Sequence, residues 1–187
     1  MNISIVTPHF NDFDGVKQTH NCLVKQDCKK WEWIIVDDGS KDNTYEIVKN
    51  YSTKYDWIKI FSFEKSNAKF GEHVFYNIER GFDKLSMDRY DFIVKLDADL
   101  EIDSPEFFSY QMDQMKKCDT LGISSGITYA MKNGEKIITS GRPYWRTGGA
   151  MKFYRRDCYE KIGGIKPLFG WDGLDEYEAI YYGWKTR

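Results

Sequence analysis

The sequence predicts an α/β protein with a mainly parallel central sheet, helices on both faces of that sheet, and a smaller mixed second half. Three observations carry this. Short β-type runs alternate with helical stretches through about the first hundred residues. Trp33-Ile34-Ile35-Val36 and Phe92-Ile93-Val94-Lys95-Leu96 are near-continuous apolar runs, the pattern of strands buried on both faces of a parallel sheet. Polar turns follow the runs at once: Thr7-Pro8, then Asp37-Asp38-Gly39-Ser40, then Asp97-Ala98-Asp99.

Each element has its own local reason. Ile3-Ser4-Ile5-Val6 is a strand halted by Thr7-Pro8. Val16, Thr19, His20, Leu23 and Val24 share one helical face. Asn43 with Glu46 three residues on marks a helix start, continued by Tyr45, Val48 and Tyr51. Ile58 to Phe61 is a third strand, Glu72 to Leu85 a helix, and Phe92 to Leu96 the fourth strand. Ser104-Pro105-Glu106 predicts another helix with Ser104 at its cap. In the second half, Ile123 to Thr139 reads as two strands around an Asn133-Gly134 turn. Ala150 to Tyr154 is a strand, Asp157 to Lys161 a short helix, and the acidic, Trp-rich stretch from Trp171 to Glu178 runs into a last helix. No linker separates the halves. Residues 1–187 are expected to form one domain, nucleotide-binding in type up to about residue 100 and catalytic or acceptor-facing beyond it.

Composition narrows the function. The net charge of -2 gives no electrostatic case for nucleic acid as a partner. The four cysteines, at 22, 28, 118 and 158, have neither zinc-like nor disulfide-scaffold spacing and read as reduced thiols. No leader pattern opens the chain, and no apolar run approaches the ~20 residues that span a bilayer. The expectation is a soluble, cytoplasmic protein, with peripheral contact at the inner face of the membrane left open. There is no G-x-G-x-x-G after the first strand, no P-loop and no G-x-S-x-G, which speaks against dinucleotide dehydrogenases, P-loop enzymes and α/β-hydrolases.

In a parallel α/β sheet, ligands bind beyond the carboxyl ends of the strands. That rim carries Thr7, Asp37, Asp38, Asp97 and Asp99. Asp97 and Asp99 point the same way if the strand geometry persists past Leu96. Two carboxylates facing one spot favour a hard cation there, Mn2+ or Mg2+, with diphosphate oxygens completing the shell. A carboxylate ending the second strand can accept the ring N–H of a pyrimidine, although Asp and Gly also form plain turns. Asp172, Asp175 and Glu176 cluster at the start of the last helix. Carboxylates there are stabilised by the helix dipole, and one of them also fits a general base.

Taken together the residues are more specific than any one of them. Ile3 to Pro8 leads to Asn11, then Gln26, then Trp33 to Ser40 with Asp42 and Thr44, then Asn67 and Gly71, then Lys95 to Asp99, Arg155-Arg156 and Ile162-Gly163-Gly164. In this order the chain resembles the family-two inverting glycosyltransferases of the Rossmann-like GT-A fold, from residue 3 to about 184. The resemblance implies that Thr7 and Asp38, with Pro8 and Asp37 alongside, meet the nucleotide base, and that Asn67 and Trp171 join the substrate site. It implies that Asp97 and Asp99 form the D-x-D, with Asp99 the direct metal ligand. Asp175 best matches the catalytic base and Asp172 is its rival, because Leu174-Asp175 replaces the usual Glu-Asp and the spacing to Gly183 is short.

The implied partners are a nucleotide-diphosphate sugar, a UDP-sugar favoured, and a glycan or lipid-linked acceptor hydroxyl. The family commonly continues past this last helix, so a fragment and a compact member both stay open. Trp145, Trp171 and Trp184 are candidates to stack on acceptor sugars, and Arg142 or Arg146 to meet an acceptor charge. Two other readings remain: a non-catalytic sugar-nucleotide-binding module, and a sugar nucleotidyltransferase.

Overall fold

A computed structural model describes residues 2–28, 30–65, 72–138, 143, 145–166, 168 and 170–187. The first half runs β1 (Ile3–His9), α1 (Phe13–Lys25), β2 (Trp31–Asp37), α2 (Thr44–Lys54), β3 (Ile58–Ser62), α3 (Glu72–Phe82) and β4 (Phe92–Leu96). The second half runs α4 (Phe107–Lys117), β5 (Leu121–Ser124), β6 (Tyr129–Lys132), β7 (Glu135–Ile138), β8 (Met151–Arg155), α5 (Arg156–Ile162), α6 (Trp171–Tyr181) and β9 (Lys185–Thr186).

Seven strands form one sheet in the order β3-β2-β1-β4-β8-β5-β9. The first four are mutually parallel. β8 enters antiparallel to both β4 and β5, and β9 closes the edge parallel to β5. β6 and β7 form a separate hairpin whose turn residues, Asn133 and Gly134, sit at φ 53° and 82°. Positive φ at both central positions is the type I′ geometry that matches strand twist.

Period-2 alternation sorts the side chains into two cores. Ile3, Ile5, Trp33, Ile35, Val94 and Phe153 face α1, α2 and α4. Val6, Ile34, Val36, Ile93 and Tyr154 face α3, α5 and α6. Trp33, Ile34, Ile35 and Val36 are all fully buried, which is why this run lacks polar alternation. Burying each such apolar side chain contributes roughly 1.5–3 kcal/mol. On the second face, α3 lies so close to the sheet that a Cβ on Gly81 would come 2.3 Å from Val6 Cγ1 and 2.9 Å from Val36 Cγ2.

Two expectations need correction. Ile123 does not belong to the hairpin. It lies in β5, fully buried and paired with Tyr154 of β8, because its apolar side chain is worth more inside the sheet than on a surface ribbon. Helix α4 starts at Phe107 rather than just after Ser104. The Phe108 N–H is satisfied from a distance by Gln26 Oε1 (3.3 Å), and Gln26 Nε2 donates to Ser104 O (2.9 Å). The buried Gln26 therefore ties the end of α1 to the start of α4. All four cysteines are free, with Cys22 and Cys158 buried and Cys28 and Cys118 partly exposed. Among the described residues no helix is long and apolar enough to cross a membrane.

Candidate active site

β1 is the switch point of the sheet: the chain moves from it to β2 and β3 on one side, then returns to β4 on the other. Open α/β sheets leave a crevice there, beyond the carboxyl ends of the strands. A cleft of about 280 Å³ occupies this place, lined by Pro8, His9, Asp38, Asn77, Asp97 and Asp99 among others. Four of the residues expected from the sequence, Pro8, Asp38, Asp97 and Asp99, thus meet in one cleft. Asn67 and Arg142 lie outside the described residues.

Thr7 and Asp37 stand behind this cleft. Thr7 lies on the Ile3–Ile5 side of β1 and is fully buried, and its Oγ1 accepts the indole N–H of Trp33 at 2.9 Å. Asp37 Oδ1 accepts from the Ser40 backbone N–H (3.1 Å), and Oδ2 accepts from Ser62 Oγ (2.6 Å). Asn11, at φ 49°, donates its backbone N–H to Ser40 Oγ and accepts from Lys41 N on its side-chain oxygen. These bonds clamp the Asp37–Lys41 loop to the end of β1. The Asp38 backbone N–H donates to His9 O (3.0 Å), which sets the Asp38 segment at the cleft. His9 is buried beside Asp37 at 3.7 Å. Burial lowers its pKa from the usual value, against the pull of Asp37.

At the end of β4, Asp97 is half-buried and Asp99 exposed, while Ala98 turns into the core and its carbonyl accepts from Thr19 Oγ1 at 3.1 Å. Lys95 Nζ lies 2.5 Å from Asp97 Oδ1 and donates to Gly149 O at 2.6 Å. Burial pushes the Lys95 ammonium down and the Asp97 carboxyl up from their ordinary values, and each is opposed by the other's charge. Among the described residues no group of three or more His, Cys, Asp or Glu is set to hold a metal by protein ligands alone. Two carboxylates on one rim fit Mn2+ or Mg2+ when a diphosphate supplies the remaining oxygens.

The last helix brings a second set of charges to the same face of the sheet. Lys152, on β8, is 1% exposed and donates to both oxygens of Asp175 (2.6 and 2.8 Å) and to the Asp172 carbonyl (2.5 Å). Glu176 Oε1 lies 3.3 Å from the same ammonium and accepts from Thr147 Oγ1 at 2.6 Å. Tyr154 donates its hydroxyl to Asp175 Oδ2 at 2.5 Å, and burial beside that carboxylate raises the phenol far above its usual pKa. Asp175 is therefore 2% exposed with both oxygens engaged, whereas Asp172 is exposed in the first turn of α6. A Cβ on Gly149 would come 2.9 Å from Asp172 Oδ2. Asp97 meets Lys95, Lys95 binds Gly149 O, and the Asp172 carboxylate lies beside Gly149, so the D-x-D and α6 are neighbours.

Trp171 packs against Phe75 edge-on at 6.2 Å and has Lys95 Nζ 5.8 Å from its ring centroid. Trp184 is partly buried against the same core, and Trp145 stacks edge-on with Tyr177 at 6.1 Å. Arg146 reaches Glu176 at 3.0 Å. Sequence reasoning missed Lys95, Lys152 and Gly149. The available signal was a lysine inside each of two apolar runs, since a buried ammonium needs a carboxylate partner.

Residues 4–166 match the family described as Glycosyl transferase family 2. The chain is similar to the uncharacterized glycosyltransferase MG025 of Mycoplasma genitalium, 34% identical over 195 residues, covering 96% of this chain and 64% of that protein. It is also similar to the poly-beta-1,6-N-acetyl-D-glucosamine synthase of Staphylococcus epidermidis, 29% identical over 124 residues, covering 66% of this chain and 28% of that protein. The chain thus spans between 28% and 64% of the length of these curated relatives. In fold it is similar to S. aureus TarS in complex with UDP, with TM-score 0.73, 20% identity and coverage of 96% of this chain and 55% of that one. It is likewise similar to the mannosyltransferase PcManGT of Pyrobaculum calidifontis in complex with GDP-Man and Mn2+, with TM-score 0.70, 15% identity and coverage of 98% and 53%.

Proposed function

The chain belongs to glycosyl transferase family 2, and from that premise we propose that it moves a sugar from a nucleotide-diphosphate donor, a UDP-sugar favoured, to the hydroxyl of a glycan or lipid-linked acceptor. One observation carries this reading: Pro8 and Asp38, together with Asp97 and Asp99, line a single cleft at the sheet's switch point. The first pair suits a nucleotide base, with Thr7 and Asp37 fixing the backbone that presents it. The second pair suits a divalent cation and the diphosphate. Relatives named glycosyltransferases, and fold neighbours that hold UDP or GDP-Man with Mn2+, support it.

Asp172 is the group we assign as general base, with Asp175 as a buried counter-ion. Asp172 is exposed, sits in the first turn of α6 and lies beside Gly149, which Lys95 ties to Asp97. It takes the proton of the acceptor hydroxyl as that oxygen attacks the anomeric carbon from the face opposite the diphosphate. The bond from the anomeric carbon to the phosphate oxygen breaks, the nucleoside diphosphate leaves, and one displacement inverts the configuration. A cation held by Asp99 and Asp97 would neutralise the charge that develops on the leaving diphosphate.

The test is calorimetric titration of UDP, dTDP and GDP, each with Mn2+ and with chelator, into the wild-type protein and Asp99→Ala. Metal-dependent binding of one nucleotide, lost in the variant, is the expected result. Failure of every nucleotide to bind would sink the reading.

A further inference from the structure

Lys95 has no part in the chemistry above, yet it is the charge in contact with the D-x-D. It is 3% exposed, lies 2.5 Å from Asp97 Oδ1, and gives a second hydrogen bond to Gly149 O. Its register partner across β4 and β8 is a second buried lysine, Lys152, on the same sheet face. The two differ in what they hold. Lys152 is answered by Asp175 and Glu176, on the buried face of α6. Lys95 is answered by Asp97, which lines the donor cleft. A carboxylate claimed by an ammonium is a weaker ligand for a second cation, and the ammonium also repels that cation directly. For a diphosphate the sign reverses: a positive charge buried just behind a cleft carboxylate attracts it.

We propose that Lys95 is the resident counter-cation of the D-x-D, holding Asp97 before any metal arrives, weakening metal binding to the nucleotide-free protein, and lending its charge to the bound diphosphate. This rests on the donor-cleft reading. Its consequence is a pair of effects of opposite sign. Even screened as in bulk water, a divalent and a monovalent cation ~6 Å apart repel by enough to change an affinity about tenfold. Removing the ammonium should therefore tighten Mn2+ binding to the free protein and weaken metal-free nucleotide binding. Simple damage to the site would weaken both.

The experiment uses Lys95→Gln and Lys95→Met, each checked for folding by circular dichroism so that the loss of one variant leaves the other. Mn2+ is titrated calorimetrically into nucleotide-free protein, and UDP and GDP are titrated in chelator. The expected result is Mn2+ binding about tenfold tighter than wild type, and nucleotide binding in chelator about tenfold weaker. Mn2+ affinity unchanged or reduced, in variants that still take nucleotide with Mn2+, overturns the proposal. So does metal-free nucleotide affinity equal to that of the wild type. If the wild type itself takes no nucleotide with Mn2+, the donor-cleft reading fails and the proposal falls with it.

Discussion

Lys95 and Lys152 face each other across β4 and β8, and each secures one side of the candidate active site. Like charges directly opposite in a sheet ordinarily destabilise it. Here Lys95 is answered by Asp97, and Lys152 by Asp175 and Glu176. The same two ammonium groups also bind main-chain carbonyls, Gly149 O and Asp172 O. The geometry of the D-x-D and that of the α6 N-terminus are thereby referred to neighbouring positions of one rigid sheet.

This arrangement separates two carboxylates one helical turn apart. Asp172→Asn should lower transfer by 10²–10⁴-fold, the usual worth of a general base, and leave nucleotide binding intact. Asp175→Asn should instead destabilise the fold by about 3 kcal/mol, because it strips a buried ammonium of its closest carboxylate. Urea unfolding of both variants, alongside UDP release from a UDP-sugar, distinguishes them. A stable Asp175→Asn protein that binds nucleotide but does not turn over would hand the base role back to Asp175.

Gly149 offers a gentler probe of the same geometry. An alanine there would place its Cβ 2.9 Å from Asp172 Oδ2. That carboxylate is exposed and free to swing aside, so the melting temperature should hold. A misplacement of about 1 Å at a reacting group costs up to about 10² in rate. Gly149→Ala should therefore lose about tenfold or more in turnover at saturating donor while binding UDP as tightly as wild type. Unchanged turnover would remove Asp172 from the reaction.

Much of the first half was legible because its signals are local. The run Trp33 to Val36 shows by composition that it is buried on both faces, and the acids that follow it and Leu96 mark the ligand rim. What was not legible depends on contacts far apart in sequence. Ile123 finds its strand only when β8, about thirty residues on, lies beside it. A lysine in an apolar run signals a buried charge, but Lys152 meets Asp175 through tertiary packing alone. Both α6 aspartates lie near the helix start, and only the docking of that helix onto β8 shows which is sealed. Thr7 sits at the rim in the sequence, yet period-2 alternation turns its side chain toward Trp33 rather than into the cleft.

The Thr7–Trp33 hydrogen bond contributes to stability rather than to ligand binding. Thr7→Val keeps the shape of the side chain but leaves the buried Trp33 indole N–H without its acceptor. An unsatisfied buried donor costs about 1–3 kcal/mol. The midpoint of urea unfolding should fall by the corresponding amount with the slope unchanged. UDP affinity should stay within about twofold, far from the tenfold that 1.4 kcal/mol of lost binding would produce. A selective loss of UDP binding without loss of stability would place the Thr7 hydroxyl on the ligand.

Acid should weaken the fold through two histidines. His9 is buried beside Asp37, with Asp12 and Asp42 also near enough to raise its pKa, yet desolvation dominates and the net shift is downward from 6.5. Among the described residues neither of its ring nitrogens makes a hydrogen bond. His20 stacks on Tyr51 at 4.6 Å and lies 5.9 Å from Trp57, and burial lowers its pKa as well. In the unfolded chain both titrate near 6.5, above their folded values. Between the two values the unfolded state binds more protons, so stability rises with pH and is lost as pH falls below about 6.5. The melting temperature should therefore decline from pH 7.5 to pH 5.5. The double variant His9→Asn, His20→Phe should flatten that decline, since the imidazoles no longer titrate. A slope equally steep in the double variant would move the acid sensitivity away from these two rings.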